Sequence, residues 1–389
     1  MSIIIFGDLF TFPDGNAATN RVYTYARGFA ENAETTHVIC FRNDFGVLSS
    51  GDNDGISFYH PFSQKSRSNY LLVRRWQKFE KFIQTYRILK SISKIEKIEA
   101  INIWTNLHTT LLFGWFLSRI FRARLIFECS EHPLNTFHNH TINRRIGLLK
   151  FKIESGLCDG VLCISKYLMD FYSTNGVADH KLLLVPSTVE PARFARKPES
   201  PLNYKYIGYF GSLSFERDNV DNLLKAFALI KDKHPEIRLV LGGFCNQTEK
   251  AQIDELISLL GISEKTAVIQ YLSRKEIVQY IVHAEILVMV RSNNIESNAS
   301  YPSKLTEYIA AGVPVISVNT GEISNYLKDG VDILLVEPEN HEALASKIEF
   351  VIDNYADALE IAVKGQQLTK TVFNYSFQAK RMIDFINHL

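Results

Sequence analysis

RSNNIESNASYPSKLTEYIAAGVPVISVNT, residues 291–320, is the stretch whose reading decides the fold of this chain. It predicts a polar loop, a short helix and a buried strand in succession. Ser303 is a favourable N-cap for a helix over 304–311, because its side-chain oxygen can accept from an early backbone N–H. Gly312 stands where helices commonly end in a left-handed residue, and Val313-Pro314 forbids continuation. Val315 to Val318 then reads as an interior parallel strand. A helix whose N-terminus opens beside a strand edge offers free N–H groups and a positive dipole end, which suits a phosphate or diphosphate. Lys304 in the first turn adds a full positive charge. Glu307, one turn on, is a carboxylate able to accept hydrogen bonds from both hydroxyls of a ribose. The alternative reading is an ordinary αβ unit with Lys304 and Glu307 as solvated surface residues.

Around this stretch, bulk composition narrows the classes. With 389 residues the chain exceeds what one hydrophobic core usually spans, which predicts two domains. Apolar residues at 46% and charged residues at 22% are those of an ordinary globular protein. The five cysteines (Cys40, Cys129, Cys158, Cys163 and Cys245) form no CxxC pair and lie mostly in strand-like runs. A disulfide framework or zinc site is not expected, and a reducing cytoplasm is. The opening MSIIIFGDLF lacks a basic leader and reads as a first strand, and no apolar run approaches the length of a membrane span. Net charge is +1, but residues 1–190 carry 22 Lys and Arg against 17 Asp and Glu. Ten basic and two acidic residues fall within 65–97.

Strand-like runs at 3–6, 37–40, 101–104, 124–129, 160–164 and 182–185 alternate with helix-compatible segments, including 20–30 and a long one over 69–97. The run PSTVEPARFARKPESPLNYKY (186–206) is proline-rich and unpatterned, as an interdomain linker is. Strands are expected again at 206–210, 237–241, 267–271, 286–290, 315–318 and 333–336, with helices between them at 220–230, 247–260 and 274–282 and more helix at the end. Such alternation implies parallel sheets covered by helices on both faces. The expected division is a first domain over 1–190, a linker over 191–205, a second domain over 206–370, and a final helix over 371–389. Two Rossmann-like domains in tandem are expected to leave a cleft at their carboxyl strand edges, where open α/β sheets bind ligands.

PSKLTEYIAAGVPVI (302–316) closely resembles the donor-site helix of the GT-B glycosyltransferases of retaining family 4, in a subgroup that carries YPSK. VLCISKYLMDFY (161–172), VPSTVEPARF (185–194) and GYFGSLSFERDNVDNLLKAF (208–227) extend the resemblance over most of the chain. It implies the GT-B fold, two Rossmann-like doubly wound domains facing each other across a cleft with the last helix crossing back. It also implies transfer of a sugar from a nucleoside diphosphate sugar with retention, UDP- or GDP-linked, to a saccharide or lipid-linked acceptor in polysaccharide or glycoconjugate synthesis. No metal or other cofactor is expected.

Carried onto this sequence residue by residue, the resemblance puts Ser303, Lys304, Leu305 and Glu307 on the nucleotide, with Gly211 and Ser212 in the tight turn towards the diphosphate. Arg217 is the loop cation. Gly15 and Asn16 belong to the loop after the first strand, where small residues let backbone N–H groups approach a ligand. Glu131 and His132, in IFECSEHP, stand where the family places a histidine or acidic residue near the transferred sugar; a helix cap and a surface histidine are the plain alternative. Arg217, Lys304, Glu131 and His132 are therefore the catalytic candidates. Two departures are visible. The usual lysine and its glycine partner fall at Asp218 and Asn219, and the first of two carboxylates falls at Ala299, unless Glu296 takes its place.

Asp52-Asn53-Asp54 spells DxD, a metal motif of the other glycosyltransferase fold, but within GDNDG it reads as a surface turn. His138 and His140 fit no metal-ligand spacing. The basic, aromatic stretch 65–97 and the segment 114–125 suit an anionic membrane surface, which would put the chain on the inner face of the membrane; the alternative is a solvated helix with its aromatics in the core. Nucleic acid is not an expected partner. Two other functions share these features: a non-catalytic nucleotide-sugar-binding subunit and a sugar-nucleotide epimerase of the same fold.

Overall fold

The structure is a computed structural model that describes residues 2–15, 17–133, 141–195 and 199–389. Two compact units divide it: residues 1–188 with 375–389, and residues 189–374.

In the first unit the chain runs β1 (Ser2–Gly7), α1 (Ala17–Glu31), β2 (Thr35–Cys40), β3 (Ser50–Asn53), β4 (Ile56–Tyr59), α2 (Leu71–Ile92) and β5 (Ile98–Trp104). It continues through α3 (His108–Phe121), β6 (Arg124–Cys129), α4 (Thr141–Leu157), β7 (Gly160–Cys163), α5 (Lys166–Thr174) and β8 (Leu182–Leu184). The sheet order is β3-β4-β2-β1-β5-β6-β7-β8, parallel except for β3 against β4. Strands such as SIIIFG are buried along their whole length because helices cover both faces. One face packs Val22, Ala26 and Phe29 of α1, and the other packs Leu89 and Ile92 of α2 with Leu111 and Leu117 of α3.

The β3–β4 hairpin was not visible in the sequence. Asp54 and Gly55 both adopt positive φ (54° and 79°), the conformation a two-residue hairpin turn demands. The Asp52 carboxylate accepts from the Gly55 amide at 2.9 Å, and that of Asp54 accepts from the Tyr23 hydroxyl at 2.6 Å. The DxD letters thus build a turn and its anchor.

In the second unit come α6 (Ala192–Ala195), β9 (Lys205–Phe210), α7 (Phe215–Asp218), α8 (Val220–Ile230), β10 (Ile237–Gly242), α9 (Gln247–Leu259), β11 (Thr266–Ile269) and α10 (Glu276–His283). Then follow β12 (Ile286–Met289), α11 (Ile295–Ala299), α12 (Ser303–Ala311), β13 (Val315–Val318), α13 (Ile323–Tyr326), β14 (Leu334–Val336), α14 (His341–Asp353) and α15 (Tyr355–Gln367). All six strands are parallel, in the order β11-β10-β9-β12-β13-β14. Order reverses beside β9, so β9 and β12 diverge at the switch point where such sheets bind ligands.

The last helix, α16 (Tyr375–His388), belongs to the first unit. Its Ala379, Met382, Ile383 and Ile386 join the α1 side of that core. Gly28 permits the approach, since a Cβ there would lie 2.6 Å from both Ala379 Cβ and the Tyr375 carbonyl oxygen. Arg381 adds a hydrogen bond to the Leu184 carbonyl at 3.1 Å. Among the described residues no helix is long and apolar enough to cross a membrane.

Met382 has no exposed surface, so Met382→Ala is expected to cost about 2–5 kcal/mol through lost burial and a residual cavity. Lys380→Ala, on the exposed side of the same helix, should stay within about 0.5 kcal/mol. Urea unfolding of the two variants beside the parent checks this; equal losses would remove the buried role given to α16.

Candidate nucleotide-binding site

Helix α12 begins one residue earlier than its sequence suggests. Pro302 is the N-cap (φ −70°, ψ 112°), and no side chain bonds to the first-turn amides. Ser303 is therefore the first helical residue and not the cap. The cause lies just upstream: the buried Tyr301 ring is held 5.5 Å from both Tyr326 and Phe373, and Pro302 then has the fixed φ that leads into a helix. The amide of Leu305, which the resemblance puts on the nucleotide, donates to the Pro302 carbonyl at 3.1 Å, and its side chain lies in the core. The leading end of the helix is otherwise uncapped by side chains, which leaves its dipole available to an anion.

Lys304 turns inward from this first turn. Its Nζ donates to the Tyr209 hydroxyl at 2.6 Å and to Asp218 Oδ1 at 3.0 Å, and sits 4.5 Å from the centre of the Tyr209 ring. The Lys304 side chain is 19% exposed and that of Asp218 10%. Burial lowers the Lys304 pKa, and Asp218 opposes the shift. An ammonium has three N–H donors, so one is left beyond these two partners. The Tyr209 hydroxyl passes its own hydrogen to the Ser212 carbonyl at 2.9 Å, and burial holds its pKa well above the usual phenol value.

The backbone around the ammonium is shaped by glycine. A Cβ on Gly211 would overlap Lys304 Nζ, and one on Gly243, at φ 146°, would overlap the Gly211 carbonyl. Tyr308 fixes the same corner, because its hydroxyl accepts from the Phe210 amide at 2.6 Å and donates to the Phe210 carbonyl at 3.1 Å. Helix α12 is thereby fastened to the carboxyl end of β9.

Glu307 is not a free carboxylate. Its Oε1 accepts from Arg193 Nη1 at 3.1 Å, with both side chains more than four-fifths buried, and Arg193 Nη2 holds the Arg274 carbonyl at 3.1 Å. The sequence reading missed this arginine because it treated residues 185–194 as a structural landmark. The signal was available as an arginine just inside the second unit. Arg217 is exposed, and Glu296 is exposed in the first turn of α11, while Ala299 is buried. Gly211, Ser212, Lys304 and Asp218 thus come together at the carboxyl end of β9, where α12 starts; Glu307 lies one turn further along α12.

The first-unit candidates are more dispersed. Gly15 sits in a tight loop where a Cβ would overlap Thr19 Oγ1, which donates to the Thr11 carbonyl at 2.7 Å. Asn16, His138 and His140 lie outside the described residues. A mainly apolar cavity of about 220 Å³ opens beside this loop, lined by Phe12, Pro13, Val47, Leu48, Phe58 and His60 among others. Glu131 is exposed past the end of β6. His132 is buried, its ring 4.8 Å from that of Phe171.

A buried ion pair in this unit joins two residues that no sequence motif marks. Arg21 of α1 donates through Nε to Glu128 Oε1 at 2.8 Å, and through Nη1 and Nη2 to the Pro186 and Val185 carbonyls at 2.8 and 2.7 Å. Burial pushes the Glu128 carboxyl up, with Arg21 pulling it back. The pair ties α1, β6 and the segment after β8 together. The five cysteines are free and buried, with thiol pKa values raised by burial, and therefore unreactive. Among the described residues no three His, Cys, Asp or Glu side chains gather as metal ligands.

Comparison with known proteins places this geometry. Residues 192–367, nearly all of the second unit, match the family model described as Glycosyl transferases group 1. A stretch of 140 residues is 24% identical to the uncharacterized glycosyltransferase YqgM of Bacillus subtilis, and covers 36% of this chain and 37% of that protein. Over its whole length the chain superposes on all of Anabaena HepE in complex with UDP-glucose, with TM-score 0.71 and 15% identity. It covers 98% of the sucrose-phosphate synthase of Thermosynechococcus elongatus with TM-score 0.76 and 16% identity. The likeness establishes the fold, that of the GT-B glycosyltransferases.

Asp218→Asn removes the counter-charge of Lys304, so the Lys304 pKa should fall further below its ordinary value. The unfolded chain then binds more protons than the folded one, and stability rises with pH until the unfolded lysine also titrates near 10.5. The variant is expected to lose about 1–3 kcal/mol at pH 7 and to recover part of it by pH 9.5. Urea midpoints at the two pH values test this; a variant whose deficit is the same at both would contradict it.

Proposed function

We propose that this protein moves a sugar from a nucleoside diphosphate sugar to an acceptor hydroxyl with retention at the anomeric carbon. The observation that carries the reading is the Lys304 ammonium, set at the uncapped start of α12 with one N–H still to give. The diphosphate binds there, and Glu307, held by Arg193, takes the ribose hydroxyls on its remaining acceptor positions. The glycosidic carbon–oxygen bond breaks with its electron pair passing to the diphosphate. An acceptor hydroxyl forms the new bond on the same face and gives its proton to a departing phosphate oxygen. The protein's part is electrostatic: donors fixed in advance stabilise charge that grows on the leaving group. No covalent nucleophile or metal is assigned.

A UDP-sugar is the favoured donor, supported by the UDP-glucose found in the HepE structure, with a GDP-sugar second. The acceptor is a saccharide or lipid-linked saccharide of polysaccharide or glycoconjugate synthesis. Its lipid would be reached from a cytoplasmic membrane face. Supporting this, Leu72, Trp76 and Phe79 of α2 are more than half exposed beside Arg74, Arg75 and Lys78, whereas Phe82 and Tyr86 pack on the core. Leu112, Phe116 and Ile120 of α3 add further exposed apolar surface. Such a surface suits anionic headgroups.

A thermal-shift panel of UDP-, GDP-, ADP- and dTDP-sugars should give one clear rise, since a ligand bound only by the folded state stabilises it. With that donor, Lys304→Ala and Glu307→Ala should each lower kcat/KM by about 100-fold or more while the protein stays folded, as the loss of about 3 kcal/mol of charge-assisted contacts requires. Near-parental turnover in both would remove the donor-site assignment. Donor binding without transfer to any acceptor would instead identify a binding subunit, and release of an altered free sugar would identify an epimerase. For the membrane partner, Trp76→Ala with Arg75→Glu should abolish co-sedimentation with phosphatidylglycerol vesicles. Unchanged sedimentation would detach α2 from that role.

A further inference from the structure

We propose that Arg291, at the end of β12, is a diphosphate-binding residue that makes up the positive charge Asp218 withdraws from Lys304. The inference rests on the donor site described above and names a residue that site did not include.

Charge balance is the first argument. A nucleoside diphosphate sugar carries two negative charges on its bridging phosphates, and Lys304 brings one positive charge already matched by Asp218 at 3.0 Å. Left to that pair, the exposed Arg217 and the helix dipole, worth roughly half a charge, the diphosphate would still be under-compensated. Arg291 is the half-buried cation of the same cluster: the charges of Asp218, Arg217 and Tyr209 act on it, and Lys304 feels its charge in turn.

The second argument is satisfaction of hydrogen bonds. Arg291 Nη2 donates to Ser300 Oγ at 2.8 Å, and that hydroxyl donates to the Glu296 carbonyl at 2.6 Å. The guanidinium plane is thus fixed. Among the described residues Nη1 is buried and has no acceptor, and Asp218 Oδ2 is buried and has no donor. The two groups form no ion pair with each other. A buried guanidinium N–H left unmade is costly, and native proteins rarely keep one without purpose. A phosphate oxygen is the acceptor that both Nη1 and the third N–H of Lys304 lack, and a planar fork suits it. Ser300 is a positioning residue in this scheme.

The test measures dissociation constants of UDP, GDP, ADP and dTDP and of the matching nucleoside, for the parent, Arg291→Ala, Arg291→Lys and Ser300→Ala. Arg291→Ala should weaken the preferred diphosphate at least about tenfold, as loss of a charged hydrogen bond does, and leave the nucleoside unchanged. Arg291→Lys should restore part of the loss, and Ser300→Ala should show a smaller loss confined to the diphosphate. Unchanged diphosphate binding in Arg291→Ala overturns the proposal, as does an equal loss for nucleoside and diphosphate. Should Arg291→Ala fail to fold, unchanged diphosphate binding in both Ser300→Ala and Arg291→Lys overturns it. A parent protein that binds none of the four diphosphates removes the donor site itself, a result distinct from the others.

Discussion

A lysine ammonium held mostly out of water is the constraint around which the second unit is arranged. Burying such a charge is unfavourable unless polar groups surround it. Tyr209 and Asp218 supply two partners. Each partner then carries a requirement of its own. Tyr209 must sit near the end of β9 with its hydroxyl hydrogen placed on the Ser212 carbonyl, and Asp218 must end a one-turn helix that Ser214 starts by accepting from the Arg217 amide. The lysine passes where no side chain can stand, so position 211 is glycine, and Gly243, just past the neighbouring strand, leaves room for the Gly211 carbonyl. Tyr308 then locks helix to strand. The group proposed to meet an anionic ligand is thus also the group that dictates local sequence.

Much of this was legible in the residues. The helix at 220–230 and the strand at 315–318 have the bounds read from their apolar pattern, and the 311 end of α12 is where it was read, because their buried faces repeat with clean periods. Lys304 and Glu307 were picked out by their place relative to a helix start. What stayed hidden is what depends on distant parts of the chain. Glu307 is paired with Arg193, which lies 114 residues away, and Glu128 with Arg21, 107 away. No local pattern announces such pairs. Ser303 was misjudged for a related reason: capping preference is local, but the helix start is set by the burial of Tyr301 against rings from elsewhere. The β3–β4 hairpin was missed because its strands are four residues each and one of them, SGDN, has almost no apolar content.

The two units solve a shared problem in opposite ways. Arg21 in the first is surrounded by a carboxylate, two carbonyls and a tyrosine ring 4.9 Å away, and serves to fasten elements. The second unit leaves donors unspent on Lys304 and Arg291. Donors left unspent at a half-buried charge are what the proposed site offers to an anion.

The split of the first unit between residues 1–188 and 375–389 has a consequence for how the protein is made. Ala379, Met382 and Ile386 follow the second unit in the chain, so that unit is synthesised before the first can close its core. Until then Val22, Ala26 and Phe29 present an oily groove to the surroundings, and a chaperone or a neighbouring nascent chain can occupy it. The final helix therefore seals the first core only after the second unit has been made, and loss of its turns would leave that core open.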